Sequence, residues 1–251
     1  MKLSYNDIER IAEDELTKFF GELTKSEKQI KAINIDDFAA HYLGLRVAHT
    51  RLSDNGDIIG LTTYVDTNIE LRRYNRIDKV HVLKDTVILD ESLRASQAWQ
   101  HDDLAHIRFT LAHECGHQIV YRMIPESKRA KLNLKYSART LSPRQMKSLD
   151  DWSEWQANAL ASAILMPKKY IALMLNKRRL TYYGKRLNRP DRHIFFSMCR
   201  KFGVSETALK IRLKKLGYSQ FLSSLEYSDP MDIICNDDFD RILSKGESYY
   251  A

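Results

Sequence analysis

The sequence predicts an α+β fold on three observations. Short β-type runs broken by turn residues fill the stretch from Leu45 to Leu89, helical periodicity runs almost unbroken from Asp102 onward, and the two patterns follow one another instead of alternating. The chain has 251 residues, 43% hydrophobic and 29% charged, with only 9 Gly and 5 Pro, the composition of a globular protein able to bury a substantial core.

Taken in order, Asn6 to Leu23 reads as an acidic amphipathic helix, with Ile8, Ile11, Leu16, Phe19 and Phe20 near helical spacing. A second helix is expected from Ser26 to Leu43, stopped by Gly44. Strands are expected at Leu45–His49, Ile58–Val65, Lys79–Leu83 and Thr86–Leu89, forming one small sheet in which the last is an edge. Helices follow at Asp103–Tyr121 and Asp150–Met166, the second with acids in its first turn and a stop at Pro167.

Composition also bounds the setting. The longest apolar run, Ala159 to Met166, contains Ser162 and is far shorter than the roughly 20 residues a bilayer requires, so no membrane span is expected. The opening MKLSYNDIERIAEDEL carries acids where a secretory leader needs apolar residues, and three cysteines without a Cys-x-x-Cys pair give no disulfide framework; a cytoplasmic protein is expected. Net charge is +7, concentrated in Lys128–Lys147 and Lys168–Arg192, whereas the chain from Leu225 onward holds seven acids against two bases. That acidic tail is expected to be a solvated face, or to lie over the basic body and restrain activity.

The chemistry centres on His113-Glu114-Cys115-Gly116-His117. Residues four apart share a helix face, so His113 and His117 are placed to put two imidazole nitrogens on one Zn²⁺, with Glu114 beside them as the base that takes a proton from water. The surrounding Phe109, Leu111, Ala112, Ile119 and Val120 mark a buried helix, in which a His pair needs a partner. A catalytic zinc site needs a third protein ligand. In Asp150–Met166, Glu154, Ala157, Asn158, Ala161 and Leu165 fall on one face, and the small Ala157 and Ala161 let two helix axes approach, which makes Glu154 the preferred ligand over Asp150 and Asp151. Asn158, one turn on, either supports a ligand or binds substrate backbone.

These residues resemble a family. Arg108 to His117, then Glu154-Trp155-Gln156-Ala157-Asn158 running into Leu165-Met166-Pro167, is similar to the ImmA/IrrE metallo-endopeptidases, and the likeness extends from about Ile33 to Lys201-Phe202-Gly203-Val204-Ser205 and Leu216-Gly217. The resemblance implies a zincin-like α+β metallopeptidase domain with a small sheet in the N-terminal half and a mainly helical C-terminal half. It implies His113, His117 and Glu154 as zinc ligands and Glu114 as the catalytic glutamate. It further implies cleavage of a DNA-bound helix-turn-helix repressor of mobile elements or stress genes, here a separate polypeptide. The expected organisation is a helical extension over 1–27, the metallopeptidase domain over 28–220 and an acidic tail over 221–251.

Four other features stand out in the sequence. Cys115 is rotated about 100° per residue away from the ligand face and reads as packing; His106, seven residues before His113, reads as an ordinary histidine over a fourth ligand. Tyr170, Tyr182, Tyr183 and His193 are candidate donors to the transition state, with none selected. Residues 191–218 read as a helix-turn-helix-like hairpin, with Ser205 as N-cap and Gly217 as C-cap. Its preferred role is packing; the alternative is DNA contact through Lys210, Arg212, Lys214 and Lys215. The function expected is a zinc endopeptidase. A DNA-associated regulator with a non-catalytic zinc is the alternative that the intact Glu114 disfavours, and a small-molecule hydrolase is disfavoured by the expected edge strand at Thr86–Leu89, to which substrate backbone would pair.

Overall fold

Ser4 opens the first helix, α1 (Tyr5–Phe20), through a capping box: its hydroxyl accepts from the Asp7 amide at 3.2 Å while Asp7 accepts from the Ser4 amide at 2.9 Å. The helix buries Ile8, Ile11, Ala12 and Leu16 and stops at Gly21, whose φ of 78° suits glycine. A computed structural model of the protein describes residues 2–53, 58–73, 76–94, 101–129, 134–137, 149–183 and 186–222. The acidic tail and most of the basic Lys128–Lys147 stretch therefore lie outside the described residues. The chain divides into two compact units, Met1–Leu23 with Ala32–Pro167 and Thr24–Lys31 with Lys168–Ala251.

In the first unit, the helix expected from Ser26 to Leu43 is not continuous. Only a 3₁₀ turn at Glu27–Gln29 precedes an extended stretch, which belongs partly to the second unit; helix α2 (Ile35–Asp37) then starts afresh and passes into a π turn, Phe38–Tyr42. Asn34 is the reason: its side chain accepts from the Asp37 amide at 3.3 Å, so it caps a new start instead of continuing a helix.

The main sheet contains β1 (Arg46–Thr50), β2 (Gly60–Thr63), β5 (Thr86–Asp90) and β6 (Leu134–Ser137) in the order β1-β5-β2-β6; β1 and β5 are parallel, and β2 is antiparallel to both neighbours. Strand β5 is buried throughout and lies between β1 and β2, so Thr86–Leu89 is a central strand and not the expected edge. The expected strand at Lys79–Leu83 belongs to a separate ribbon, β3 (Thr67–Arg73) with β4 (Arg76–Val82). Ile69, Leu71 and Val82 of this ribbon pack with Leu52, Leu61 and Ile88 in one apolar cluster.

Against β2 and β5 lies α3 (His101–Met123), followed by the short α4 (Glu126–Arg129), and α3 packs along α5 (Leu149–Leu165). The two long helices approach closely because Gly116 has no side chain: an ideal Cβ there would stand 2.8 Å from the Ala157 carbonyl oxygen. Helix α1 packs on the same α5, where the Leu3 amide donates to Gln156 Oε1 at 2.8 Å.

The second unit holds α6 (Lys168–Leu175), a sheet of β7 (Leu180–Tyr183), β8 (Arg186–Leu187) and β9 (Ser219–Leu222) in the order β8-β7-β9, and the hairpin of α7 (Arg189–Phe202) and α8 (Glu206–Lys215). Ser205 caps α8, accepting from the Ala208 amide at 3.2 Å, and Gly203 ends α7 in the left-handed conformation. Gly217, with φ of 76°, lies one residue beyond the C-cap Leu216. Arg212 is buried at 4% exposure, so it does not lie on the solvent face of α8 with Lys214 and Lys215. The fold is thus mixed, with small sheets and a mainly helical C-terminal half, as the sequence predicts.

Candidate metal centre

His113 and His117 stand one turn apart on α3, buried at 5% and 2% exposure, with ring centroids 4.6 Å apart and planes nearly perpendicular. Glu154 reaches them from α5: its Oε2 is 3.2 Å from His113 Nε2 and its Oε1 is 3.2 Å from His117 Nε2. Ligand atoms of the three residues all lie within 4.8 Å of one another, the one such cluster among the described residues that brings these side chains together. His113 Nε2, His117 Nε2 and Glu154 Oε2 are buried yet make no hydrogen bond of proper geometry. Short separation without hydrogen-bond alignment suits three donors facing a shared cation, and two imidazoles with one carboxylate are a donor set that fits a divalent transition metal.

The charges follow the same arrangement. Burial by itself would raise the Glu154 carboxyl and lower the His113 imidazole, but their mutual contact wins: Glu154 is held at about 2, and His113 is raised from its ordinary value, with Glu114 adding to the effect.

Two neighbours orient the imidazoles. Asn158 Nδ2 donates to the Glu154 carbonyl at 2.9 Å, which turns its Oδ1 toward His113 Nδ1 at 3.0 Å. Nδ1 of His113 therefore carries the proton, and Nε2 presents its lone pair to the cluster. For His117 the corresponding neighbour is Ser153, with Oγ 3.4 Å from Nδ1. Of the two roles open to Asn158, the contact made is with His113.

Glu114 is fully buried and projects to the sheet side of α3. An ideal Cβ on Gly60 would come 2.5 Å from its Oε1, so the carboxylate occupies the space a side chain on β2 would fill. Alternation along β2 puts Gly60 and Thr62 on the same face, and Tyr64 lies in the bend just past the strand. Gln118 Nε2 donates to Thr62 Oγ1 at 2.7 Å and to the Thr63 carbonyl at 3.0 Å, and Tyr64 stacks on Tyr121 at 4.1 Å. Burial first, then the carboxylates of Glu114 and Glu154, hold the Tyr64 phenol well above its ordinary pKa, so a neutral hydroxyl lies in the field of both acids.

Of the other expected residues, His106 is not part of the cluster, and Cys115 is fully buried with its thiol pushed up by that burial. The side chains of Asp150 and Asp151 lie outside the described residues. Tyr170, Tyr182, Tyr183 and His193 all belong to the second unit. Sequence reasoning missed Gly60, Tyr64, Ser153 and the spacer role of Gly116; a glycine within a strand pattern is the one signal that marks Gly60.

Among the described residues no helix is long and apolar enough to cross a membrane. No curated protein matches the chain. A family model does: residues 100–214, which include His113, Glu114, His117, Glu154 and Asn158, match the IrrE N-terminal-like domain of Peptidase M78. The paired histidines and the downstream glutamate agree with this match: over residues 100–214 the chain is similar to the IrrE N-terminal-like, metallopeptidase-like domain.

Proposed function

We propose that the protein is a cytoplasmic zinc endopeptidase that cleaves a separate helix-turn-helix repressor. The observation that carries the catalytic part is the convergence of His113, His117 and Glu154 with a buried carboxylate, Glu114, on the same helix turn. A structural zinc site needs no general base. Two imidazoles and a carboxylate suit Zn²⁺, which when bound supplies Lewis acidity and lowers the pKa of water. The chain's own residues do the rest. Asn158 and Ser153 hold the two imidazoles, Glu114 takes the proton of the attacking water and returns it to the leaving amine, and the neutral Tyr64 phenol adds a hydrogen-bond donor in the field of the two acids.

The substrate class rests on the family match together with charge. A peptidase free among other proteins must be narrow in specificity, and the basic residues of Lys128–Lys147 lie in sequence between the two ligand helices, where they favour an acidic protein surface or a substrate already on DNA. Repressor cleavage within or just after its DNA-binding domain would release the operator. The test incubates the zinc-loaded protein and its Glu114→Gln variant with the repressor encoded nearby and with casein. Cleavage of the repressor alone, lost in the variant, is expected; digestion of casein with the repressor intact means a general peptidase, and no cleavage of either with zinc bound favours the non-catalytic regulator.

A further inference from the structure

The segment joining the two ligand helices contributes a strand to the sheet. Strand β6 pairs antiparallel with β2 over its whole length, from Thr63 opposite Leu134 to Gly60 opposite Ser137. Gly60 is also the residue against which the Glu114 carboxylate packs. The backbone of Ser137 thus runs about one strand spacing, roughly 4.8 Å, from the strand residue that touches the general base. An extended peptide brought to Glu114 with its backbone groups satisfied needs an open strand edge beside that base. Strand β2 passes closest, but β5 takes one of its edges and β6 takes the other.

We propose, building on the peptidase reading, that the outer edge of β2 is the binding strand for an extended peptide and that residues 134–137 occupy it as an internal competitor. The incoming segment replaces β6 by antiparallel exchange. Such an exchange conserves the backbone hydrogen bonds on β2, so it costs little beyond the loss of the intramolecular connection. The strand is suited to leaving: it has four residues, and among the described residues β2 is its one partner. With β5 central in the sheet and Gly60 against Glu114, β2 is the strand that offers an open edge beside that carboxylate once β6 leaves.

The test uses a fluorescent peptide with the sequence of residues 131–140, KLNLKYSART, added to the full chain carrying Glu114→Gln so that the probe is not consumed. Two variants remove the internal strand: Lys135→Pro, which eliminates a backbone donor and breaks extended pairing, and replacement of residues 134–137 by Gly-Ser-Gly-Ser. Each is checked for fold by circular dichroism, and the second carries the test if the first fails to fold. Probe binding at least tenfold tighter in the variants than in the parent is expected. Unchanged binding overturns the proposal, and weaker binding overturns it in favour of a substrate that adds to the far edge of β6. The same variants with Glu114 intact separate this proposal from the peptidase reading. Tighter binding without hydrolysis leaves the strand assignment standing and removes the peptidase; hydrolysis with unchanged probe binding does the reverse.

Discussion

The carboxylate of Glu114 rests where a side chain on Gly60 would begin, with Oε1 2.5 Å from the ideal Cβ position and Thr110 Cγ2 3.1 Å from it. Glycine in a strand is otherwise unfavourable, because it packs nothing and loses more chain entropy on ordering. Here its bareness sets the position of the Glu114 carboxylate.

Gly60→Ala is therefore expected to displace Glu114 while leaving the three ligand residues in place. A shift of about 1 Å in a catalytic group costs on the order of a hundredfold in rate. The expected outcome is a fall of that order in kcat with zinc stoichiometry unchanged, measured by steady-state kinetics beside metal analysis. Wild-type kcat in the variant would mean that Glu114 has freedom the packing denies it.

Asn158→Ala removes the acceptor that holds the proton on His113 Nδ1. Loss of such a partner weakens metal binding by about 10- to 100-fold. Competition against a chelator should show that drop, and activity at saturating zinc should recover most of its value. If activity stays lost at full occupancy, Asn158 acts on substrate and not through His113.

How much of this was legible depends on how local each relationship is. His113 and His117 are one turn apart, and Glu154, Ala157 and Asn158 lie along one helix face, so helical period alone orders them. The ends of α7 and α8 were likewise readable from Gly203 and Ser205. Gly60 and Tyr64 were not, because their place beside α3 comes from a sheet order, β1-β5-β2-β6, that does not follow the chain. The same non-sequential order turned the expected edge strand at Thr86–Leu89 into a central one. Asn34 misled in a different way: the apolar spacing around it is helical, and only the preference of a short amide side chain for capping over helix interiors splits the segment.

Gly116→Ala is expected to force α3 and α5 apart, because its Cβ would meet backbone atoms, the Ala157 carbonyl oxygen at 2.8 Å and Cα at 3.0 Å, which cannot rotate away. Overpacking of this kind costs about 1–3 kcal/mol. Since Glu154 is carried by α5, zinc affinity should fall together with stability. Denaturant midpoints and chelator competition measured on one preparation would check the coupling, and a stability loss with unchanged zinc affinity would refute it.

Metal removal gives the last test. His113 Nε2, His117 Nε2 and Glu154 Oε2 are buried without aligned hydrogen bonds, so the metal-free state carries polar atoms whose desolvation is not offset. A cation that binds the folded state and not the unfolded one restores that loss by mass action, about 2.7 kcal/mol when free metal is a hundredfold above its Kd. Trp152 and Trp155, on α5 within one turn of Glu154 and 5.6 Å apart, report unfolding of this unit by fluorescence. The urea midpoint should drop on chelation and return with one equivalent of Zn²⁺, with Glu114→Gln behaving like the parent. His117→Ala should already have the lower midpoint and respond to neither treatment. A midpoint in the parent that chelation does not move, or a His117→Ala variant that zinc still stabilises by the same amount, would remove His113, His117 and Glu154 as the metal's ligands.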